Sequence, residues 1–165
     1  MPSGPPSSPS AAPAQAGSPS WLALDQQLCF ALYSSSLAMT KFYKPLLDPL
    51  GLTYPQYLVM LVLWEADGQT VSQLGERLAL DSGTLTPLLK RLEASGLMQR
   101  LRDSADERRV RLLLTPAGRK LKARALRVPA AMACASGCAL DELAALTARL
   151  KALRSHLIDP TTRSA

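Results

Sequence analysis

The strongest nucleophiles of this sequence are the thiols of its three cysteines, Cys29, Cys134 and Cys138. Three dispersed cysteines do not make the disulfide framework of a small secreted domain. A free cysteine either packs as a small hydrophobe or, as a thiolate, reacts with oxidising molecules. Cys29 has no His or Lys neighbour in the sequence, so a reactive thiolate there would need other hydrogen-bond donors and the positive end of a helix. Tyr33 lies one helical turn further on the same face.

A second chemically distinctive segment, residues 82–111, is rich in basic side chains. It contains seven basic and four acidic residues. The basic ones are Lys90, Arg91, Arg100, Arg102, Arg108, Arg109 and Arg111. Such a density favours a polyanionic partner, because binding releases the counterions of the polyanion. The alternative is the solvated surface of a structural or protein-binding domain.

Helix-capping sequences lie before and within this segment. Thr53-x-x-Gln56 and Thr70-x-x-Gln73 are capping boxes. The first predicts a helix to about residue 66, and the second a short helix ending near residue 80. Asp81 and Ser82 can cap a third helix over 83–94, in which Pro87 would cause a slight distortion. In this third helix four leucines face the core, and Thr84, Thr86, Lys90 and Arg91 are left for solvent.

A hairpin follows the third helix. Residues 97–102 and 109–114 are β-compatible, and a charged loop separates them. A short helix, a capped helix and a hairpin with a basic tip, in that order, form a helix-turn-helix followed by a wing, which places the helix over 83–94 in the major groove of DNA. The fold class is therefore mainly α with a small β-hairpin wing.

Long helices flank this lobe. We expect one helix over 22–47, another from Thr115-Pro116 to about Ser136-Gly137, and a last amphipathic helix over 141–157. Residues 1–20 carry six prolines among Ser, Ala and Gly without a charged residue, which predicts a disordered tail. The remaining residues, 21–165, are expected to form a single domain.

The composition fits a DNA-binding cytoplasmic protein. The formal net charge is +6 and the pI is about 9.5. No stretch approaches the ~18 apolar residues of a membrane span, so we expect no membrane association and reduced resting thiols, with any disulfide being regulatory. His156 has no Cys or carboxylate at metal-ligand spacing, and we see no phosphate loop or hydrolytic triad. We therefore expect no metal, no cofactor and no enzymatic activity.

Residues 70–118, TVSQLGERLALDSGTLTPLLKRLEASGLMQRLRDSADERRVRLLLTPAG, resemble the DNA-binding lobe of the MarR family. The wing signature Asp-x-Arg of that family falls at Asp106 and Arg108. The resemblance implies that Asp106 fixes the wing and that Arg108 enters the minor groove, where a planar cation is favoured. It also implies a homodimer built from the terminal helices over 21–50 and 116–158, around a winged helix-turn-helix lobe over 53–115. The expected DNA-binding residues are Ser82, Thr84, Thr86, Lys90, Arg91, Arg102, Asp106, Arg108 and Arg109.

The segment LDQQLCFALYSSSLAMTKFYKPLLDPLGLTYPQY resembles, within that family, the organic hydroperoxide resistance regulators, and the resemblance extends over about residues 22–157. It implies that Cys29 senses hydroperoxides and is held by Tyr43 and Tyr54 of the other subunit, with Tyr33 matching as well. Phenolic donors to sulfur favour the thiolate, which is the form that attacks a peroxide.

The two-cysteine branch of this subfamily implies a resolving cysteine at Cys134, with Cys138 as the alternative. The expected function is that of a repressor that binds a pseudo-palindromic operator when reduced and leaves it when Cys29 is oxidised by organic hydroperoxide. Two competing hypotheses remain. One is a MarR-type repressor released by a phenolic ligand, with Cys29 merely lining the pocket, and the other is a thiol peroxidase.

Overall fold

A computed structural model describes residues 22–102 and 109–159. By its internal contacts the chain divides into two compact units, Met1–Ala38 and Met39–Ala165. The predicted tail over 1–20 lies outside the described residues, as do Asp106 and Arg108. The architecture is mainly helical with one two-stranded antiparallel sheet, as the sequence predicts.

The first long helix begins later than the sequence suggests. A short 3-10 helix, Leu24–Gln26, comes first, and helix α1 spans Leu28–Leu47. The prediction of one helix from residue 22 is wrong because Gln27 adopts an extended backbone, with φ −82° and ψ 114°, which interrupts the helical hydrogen bonds. A second 3-10 turn, Asp48–Leu50, ends at Gly51, whose φ of 69° suits a residue without a Cβ.

The next two helices begin where the capping boxes place them. Helix α2 spans Tyr54–Glu65, and the side-chain oxygen of Gln56 accepts a hydrogen bond from the Thr53 backbone N–H at 2.9 Å. Helix α3 spans Val71–Leu78. Its box is complete: the Gln73 side chain accepts from the Thr70 N–H at 2.9 Å, and the Thr70 hydroxyl accepts from the Gln73 N–H at 3.2 Å. Both predicted starts are confirmed.

Helix α4 spans Ser82–Ala94 and contains Pro87 without a break. The Asp81 carboxylate accepts a hydrogen bond from the Thr84 N–H at 2.9 Å, which is the predicted N-cap. The hairpin consists of β1, Met98–Arg102, and β2, Val110–Leu114. The two strands pair antiparallel, with Met98 opposite Leu114 and Arg102 opposite Val110.

One predicted helix over 116–137 is two helices in the structure. Helix α5 spans Pro116–Ala125, and α6 spans Arg127–Ala135. The break follows from Pro129, which has no N–H to donate to the Ala125 carbonyl and whose ring crowds that carbonyl. Gly137, with φ 67°, then reverses the chain, and α7 spans Leu140–Ile158.

The core of the second unit gathers around α2 and the winged lobe. Buried side chains come from every element between the end of α1 and the start of α6. They include Leu47, Met60, Leu63, Leu74, Leu85, Leu89, Leu92, Met98, Leu112, Leu121 and Val128. The four leucines predicted to face inward from α4 are all buried. Burial of this apolar surface fixes the positions of α3, α4 and the hairpin, and these elements carry the predicted DNA-binding residues.

Candidate thiol site and nucleic-acid interface

Cys29 is the second residue of α1 and therefore lies in its first turn, and it is exposed in the single chain. The sequence leaves open whether Cys29 is a packed core residue, and within one chain it is not. Backbone N–H groups in the first turn of a helix have no intrahelical partner and favour negative charge nearby. Tyr33, one turn further along the same helix, is 61% exposed.

The second unit brings together the other two tyrosines predicted for the thiol site. The Tyr43 and Tyr54 rings lie 4.7 Å apart between centroids. Tyr57 joins them, with its ring 6.2 Å from that of Tyr43 and 6.3 Å from that of Trp64. Tyr57 is buried and completes this three-tyrosine cluster. Its position three residues after Tyr54, on the same helix face, is the signal that could have placed it there.

The phenols of this cluster stay protonated. Burial raises the pKa of Tyr43, Tyr54 and Tyr57 above the ordinary value. The neighbouring phenols raise the pKa of Tyr43 and Tyr57 further, because two phenolates side by side would repel each other. The cluster therefore presents O–H donors at neutral pH, the form that can stabilise an anion such as a thiolate.

The other two thiols lie at the far end of α6. Cys134 is in the last turn of that helix and Cys138 follows in the turn before α7, and both residues are exposed. The backbone N–H of Cys138 donates to the Ser136 hydroxyl at 3.3 Å, and its sulfur lies 3.5 Å from the Ser136 carbonyl oxygen. Cys138 is therefore folded against the end of α6.

The predicted reader helix α4 presents a polar face. Ser82, Thr84, Thr86, Lys90 and Arg91 are all exposed. Two of their hydroxyls are held locally: that of Thr84 donates to the Asp81 carboxylate at 3.0 Å, and that of Thr86 donates to the Ser82 carbonyl at 2.7 Å. Four-residue spacing places Ser82, Thr86 and Lys90 along one stripe of the helix.

The wing is tied to this helix by an ion pair. The Glu93 carboxylate accepts hydrogen bonds from the Arg100 backbone N–H at 3.0 Å and from its side-chain Nε at 2.8 Å. These bonds, with the charge of Arg100, lower the pKa of Glu93. Arg102 and Arg109, both among the expected DNA-binding residues, lie exposed on either side of residues 103–108. Arg100 thus positions the hairpin on α4.

Asp67 is a structural residue in the loop after α2. One of its carboxylate oxygens accepts hydrogen bonds from the Gly68 N–H at 3.0 Å and the Leu114 N–H at 2.8 Å. The other accepts from Arg119 at 2.7 Å. Burial raises the pKa of Asp67, but these hydrogen bonds and the Arg119 charge outweigh burial and lower it. Asp67 thereby joins the loop after α2 to β2 and α5, and only the three-dimensional structure shows these partners.

Residues 22–102 and 109–159 contain no cluster of three or more metal-ligating side chains. No single described helix is long and apolar enough to span a membrane, although two bent pairs of helices, 28–50 with 54–65 and 116–135 with 140–158, reach the required length and composition together.

Comparison with known proteins gives concordant results. Residues 41–125 match the family described as transcriptional regulator SarA/Rot. The organic hydroperoxide resistance transcriptional regulator of Bacillus subtilis is 58% identical over 106 residues, which cover 64% of this chain and 72% of that protein. The transcriptional regulator TtmR of Methylorubrum extorquens is 52% identical over 134 residues, covering 81% of this chain and 69% of the relative.

A solved structure of reduced AbfR bound to DNA superimposes with a TM-score of 0.70 at 38% identity, covering 82% of this chain and 95% of AbfR. AbfR comes from Staphylococcus epidermidis. A disulfide form of AbfR superimposes with a TM-score of 0.55 at 40% identity, covering 79% of this chain and 91% of AbfR. These relatives are DNA-binding regulators and not enzymes, which removes the thiol peroxidase hypothesis. The chain belongs to the SarA/Rot group of MarR-type winged-helix transcriptional regulators and, within it, to the subfamily of the organic hydroperoxide resistance regulators.

Proposed function

We propose that this protein is a homodimeric repressor that binds operator DNA when reduced and leaves it when organic hydroperoxide oxidises Cys29. One observation carries the proposal: Cys29 is an exposed thiol in the first turn of α1, in a chain that also builds a cluster of protonated tyrosines. The Bacillus relative is named for organic hydroperoxide resistance, and AbfR has been solved in reduced and disulfide forms.

The proposed dimer brings Cys29 of one subunit to the tyrosine cluster of the other. In the proposed assembly Tyr43 and Tyr54 of one subunit donate hydrogen bonds to Cys29 of the other and hold it as a thiolate. Tyr33 supports the thiol from its own helix. The apolar faces left exposed on α1 and α7 support such an assembly, since a single chain leaves Leu28, Leu37, Leu146 and Leu157 between 47% and 66% exposed.

The chemistry proceeds in two displacement steps. The Cys29 thiolate attacks the terminal oxygen of the hydroperoxide, the O–O bond breaks, and the departing alkoxide takes up a proton to leave as an alcohol. Cys29 is now a sulfenic acid. The Cys134 thiolate of the partner then attacks the Cys29 sulfur, the S–O bond breaks with loss of water, and an intersubunit disulfide remains. Cys138 is the alternative resolving thiol.

DNA release follows from the change in the dimer. Two α4 helices in successive major grooves must be spaced by about one helical turn, roughly 34 Å. In each subunit the major groove is faced by five residues of α4: Ser82, Thr84, Thr86, Lys90 and Arg91. Phosphates are contacted by Arg102 and Arg109. In the wing, Asp106 fixes the conformation and Arg108 enters the minor groove. A disulfide between the terminal helices shifts them and changes this spacing. The protein then loses affinity without any change in the DNA contacts themselves.

Replacing Cys29 with Ser tests the proposal. The probe is a duplex selected from a random pool by the reduced protein, and binding is followed by fluorescence anisotropy. We expect one equivalent of cumene hydroperoxide to release the wild type but not Cys29→Ser, because serine forms no sulfenic acid. Cys138→Ser serves as the matched control and should still be released.

Two outcomes contradict the proposal. Release of Cys29→Ser by peroxide would show that this thiol is not the sensor. Release of both proteins by a phenolic acid, with no response to peroxide, would instead support the ligand-released repressor.

A further inference from the structure

The structure places two exposed thiols around one helix end, and the proposed sensing reaction uses only one of them. Cys134 lies in the last turn of α6, and Cys138 lies four residues later. Between them Gly137 adopts φ 67°, which turns the chain back at the end of the helix. Both thiols belong to the same unit of the same chain.

Local hydrogen bonds hold Cys138 close to this helix end. The Ser136 hydroxyl donates to the Ala133 carbonyl at 2.7 Å and accepts from the Cys138 N–H at 3.3 Å. The Cys138 sulfur lies 3.5 Å from the Ser136 carbonyl oxygen. The Cys138 thiol thus lies against Ser136, the residue that directly follows α6.

The spacing suits a disulfide. Cys134 and Cys138 are separated by three residues, one of them Gly137 with φ 67°, so the chain turns within this segment and does not continue as a helix. Disulfides join cysteines whose Cα atoms are about 4.4–6.8 Å apart. Gly137 is the residue best able to absorb the small backbone adjustment that bond formation needs, because it has no Cβ.

We infer that Cys138 is a second resolving thiol, which converts the intersubunit disulfide into one within a single chain. This inference rests on the proposed function. The Cys138 thiolate attacks the Cys134 sulfur of the Cys29–Cys134 disulfide. The bond between Cys134 and the partner's Cys29 breaks, a Cys134–Cys138 bond forms, and Cys29 leaves as a thiolate. One disulfide replaces another, so no further oxidant or reductant is required.

The exchange has two consequences for the sensor. The covalent link between subunits becomes transient, and with it the shift of the terminal helices that this link imposes. The oxidised end state is a non-covalent dimer with an intrachain disulfide in each subunit that has reacted. Cys29 is returned to the reactive thiolate form, although its resolving thiol is now occupied. A second hydroperoxide would then leave Cys29 as a sulfenic acid without a resolving partner, so the protein distinguishes a first from a repeated exposure.

The test follows the two disulfides in time. Full-length wild type and Cys138→Ser are treated with one equivalent of cumene hydroperoxide, quenched at intervals with N-ethylmaleimide, and separated by non-reducing electrophoresis. Trypsin releases residues 128–149, which contain both Cys134 and Cys138, as one peptide. After the quench a reduced peptide carries one N-ethylmaleimide group on each thiol, whereas a peptide with an internal disulfide carries none and is two hydrogen masses lighter than the unmodified dithiol peptide.

In the wild type we expect the covalent dimer to appear first and then to decay as the lighter peptide accumulates. In Cys138→Ser the covalent dimer should form and persist. A covalent dimer of equal lifetime in both proteins would overturn the inference while leaving the proposed function intact. Absence of a covalent dimer even in Cys138→Ser would overturn the intersubunit disulfide of the proposed function and the exchange together.

A second measurement isolates the pairing itself. Cys29→Ser cannot make the first disulfide, but the oxidant diamide can still join Cys134 to Cys138 directly. We expect the lighter peptide from Cys29→Ser after diamide, with Ala135→Ser as a control that leaves both thiols in place. Failure of the pair to oxidise there would overturn the inference, whatever the peroxide does in the wild type.

Discussion

At the residue scale, the proposed site divides its chemistry between sulfur and phenol. In the proposed function Cys29, at the start of α1, is the nucleophile, and the tyrosine cluster of the partner subunit provides the hydrogen-bond donors. Burial raises the pKa of Tyr43 and Tyr54, so these side chains keep their protons under the conditions in which a thiol loses its own. Such a pairing of a donor that stays neutral with an acceptor that becomes charged favours the thiolate without needing a basic side chain.

Asp67 carries a prediction about pH dependence. Its pKa is lower in the folded chain than the ordinary 3.8, so its contribution to stability is present above about that pH and is lost as the pH falls through the lower folded value. Asp67→Asn should lower the free energy of unfolding at pH 7 by about 1 kcal/mol, since the carboxylate is partly exposed and its hydrogen bonds are screened.

Urea unfolding of the wild type and Asp67→Asn at neutral and strongly acidic pH measures this difference. The gap between the two proteins should narrow in acid. Asp48→Asn is the control, because Asp48 forms only an exposed pair with Lys44. A gap that is independent of pH would show that the Asp67 charge does not contribute.

At the scale of elements, α4 and the hairpin are joined into one surface, which the proposed function places against DNA. Glu93 and Arg100 join them, and Asp67 joins the hairpin to α5. The reader helix and the wing are therefore held in a fixed relation by charged hydrogen bonds whose partners come from different elements. Such preorganisation limits the ordering that DNA binding must impose on the protein.

Lys90 tests the electrostatic part of this surface. If Lys90 contacts a phosphate, Lys90→Ala should weaken binding and reduce the slope of log affinity against log salt concentration by about 0.9. The measurement is a salt titration of DNA binding by anisotropy. Lys120→Ala, an exposed lysine on α5, is the control and should leave the slope unchanged. An unaltered slope for Lys90→Ala would remove Lys90 from the DNA interface.

The sequence predicts the elements well where the signals are local. The capping residues Thr70 and Asp81 mark helix starts that the structure reproduces, and the inward leucines of α4 follow from helical periodicity. The two wrong predictions, the start of the first helix and an unbroken helix over 116–137, also have local causes. These are Gln27 and Pro129, whose effects on the backbone depend on context. The tertiary bonds of Asp67 could not be predicted, since their partners lie 47 and 52 residues away.

At the scale of the whole molecule, helix α7 leaves its apolar side chains uncovered in a single chain. None of the residues of α7 is buried, although Leu143, Leu146, Leu150, Leu153 and Leu157 repeat at helical spacing. An amphipathic helix of this kind gains stability by covering its apolar stripe with another surface. The proposed dimer provides that surface.

Leu150→Asp tests this use of α7. Removing one buried leucine from each of two symmetric contacts costs about 3–6 kcal/mol, so the dissociation constant of the dimer should rise at least about a hundredfold. Sedimentation velocity over a range of concentrations measures the constant. Lys151→Asp introduces the same charge at the neighbouring exposed position and should leave the dimer intact. A dimer unaffected by Leu150→Asp would place the interface elsewhere.

Two hydrogen bonds join α2 to α5 in the second unit. The Trp64 indole N–H donates to the Gly118 carbonyl at 2.9 Å, and Lys122 donates to the Trp64 carbonyl at 2.9 Å. A Cβ on Gly118 would lie 2.0 Å from the Leu97 carbonyl oxygen, so α5 also packs closely against the hairpin and the residue before it. Helix α5 ends after these contacts. Leu126 therefore separates α5, which is fixed to α2 and the hairpin, from α6, which carries Cys134.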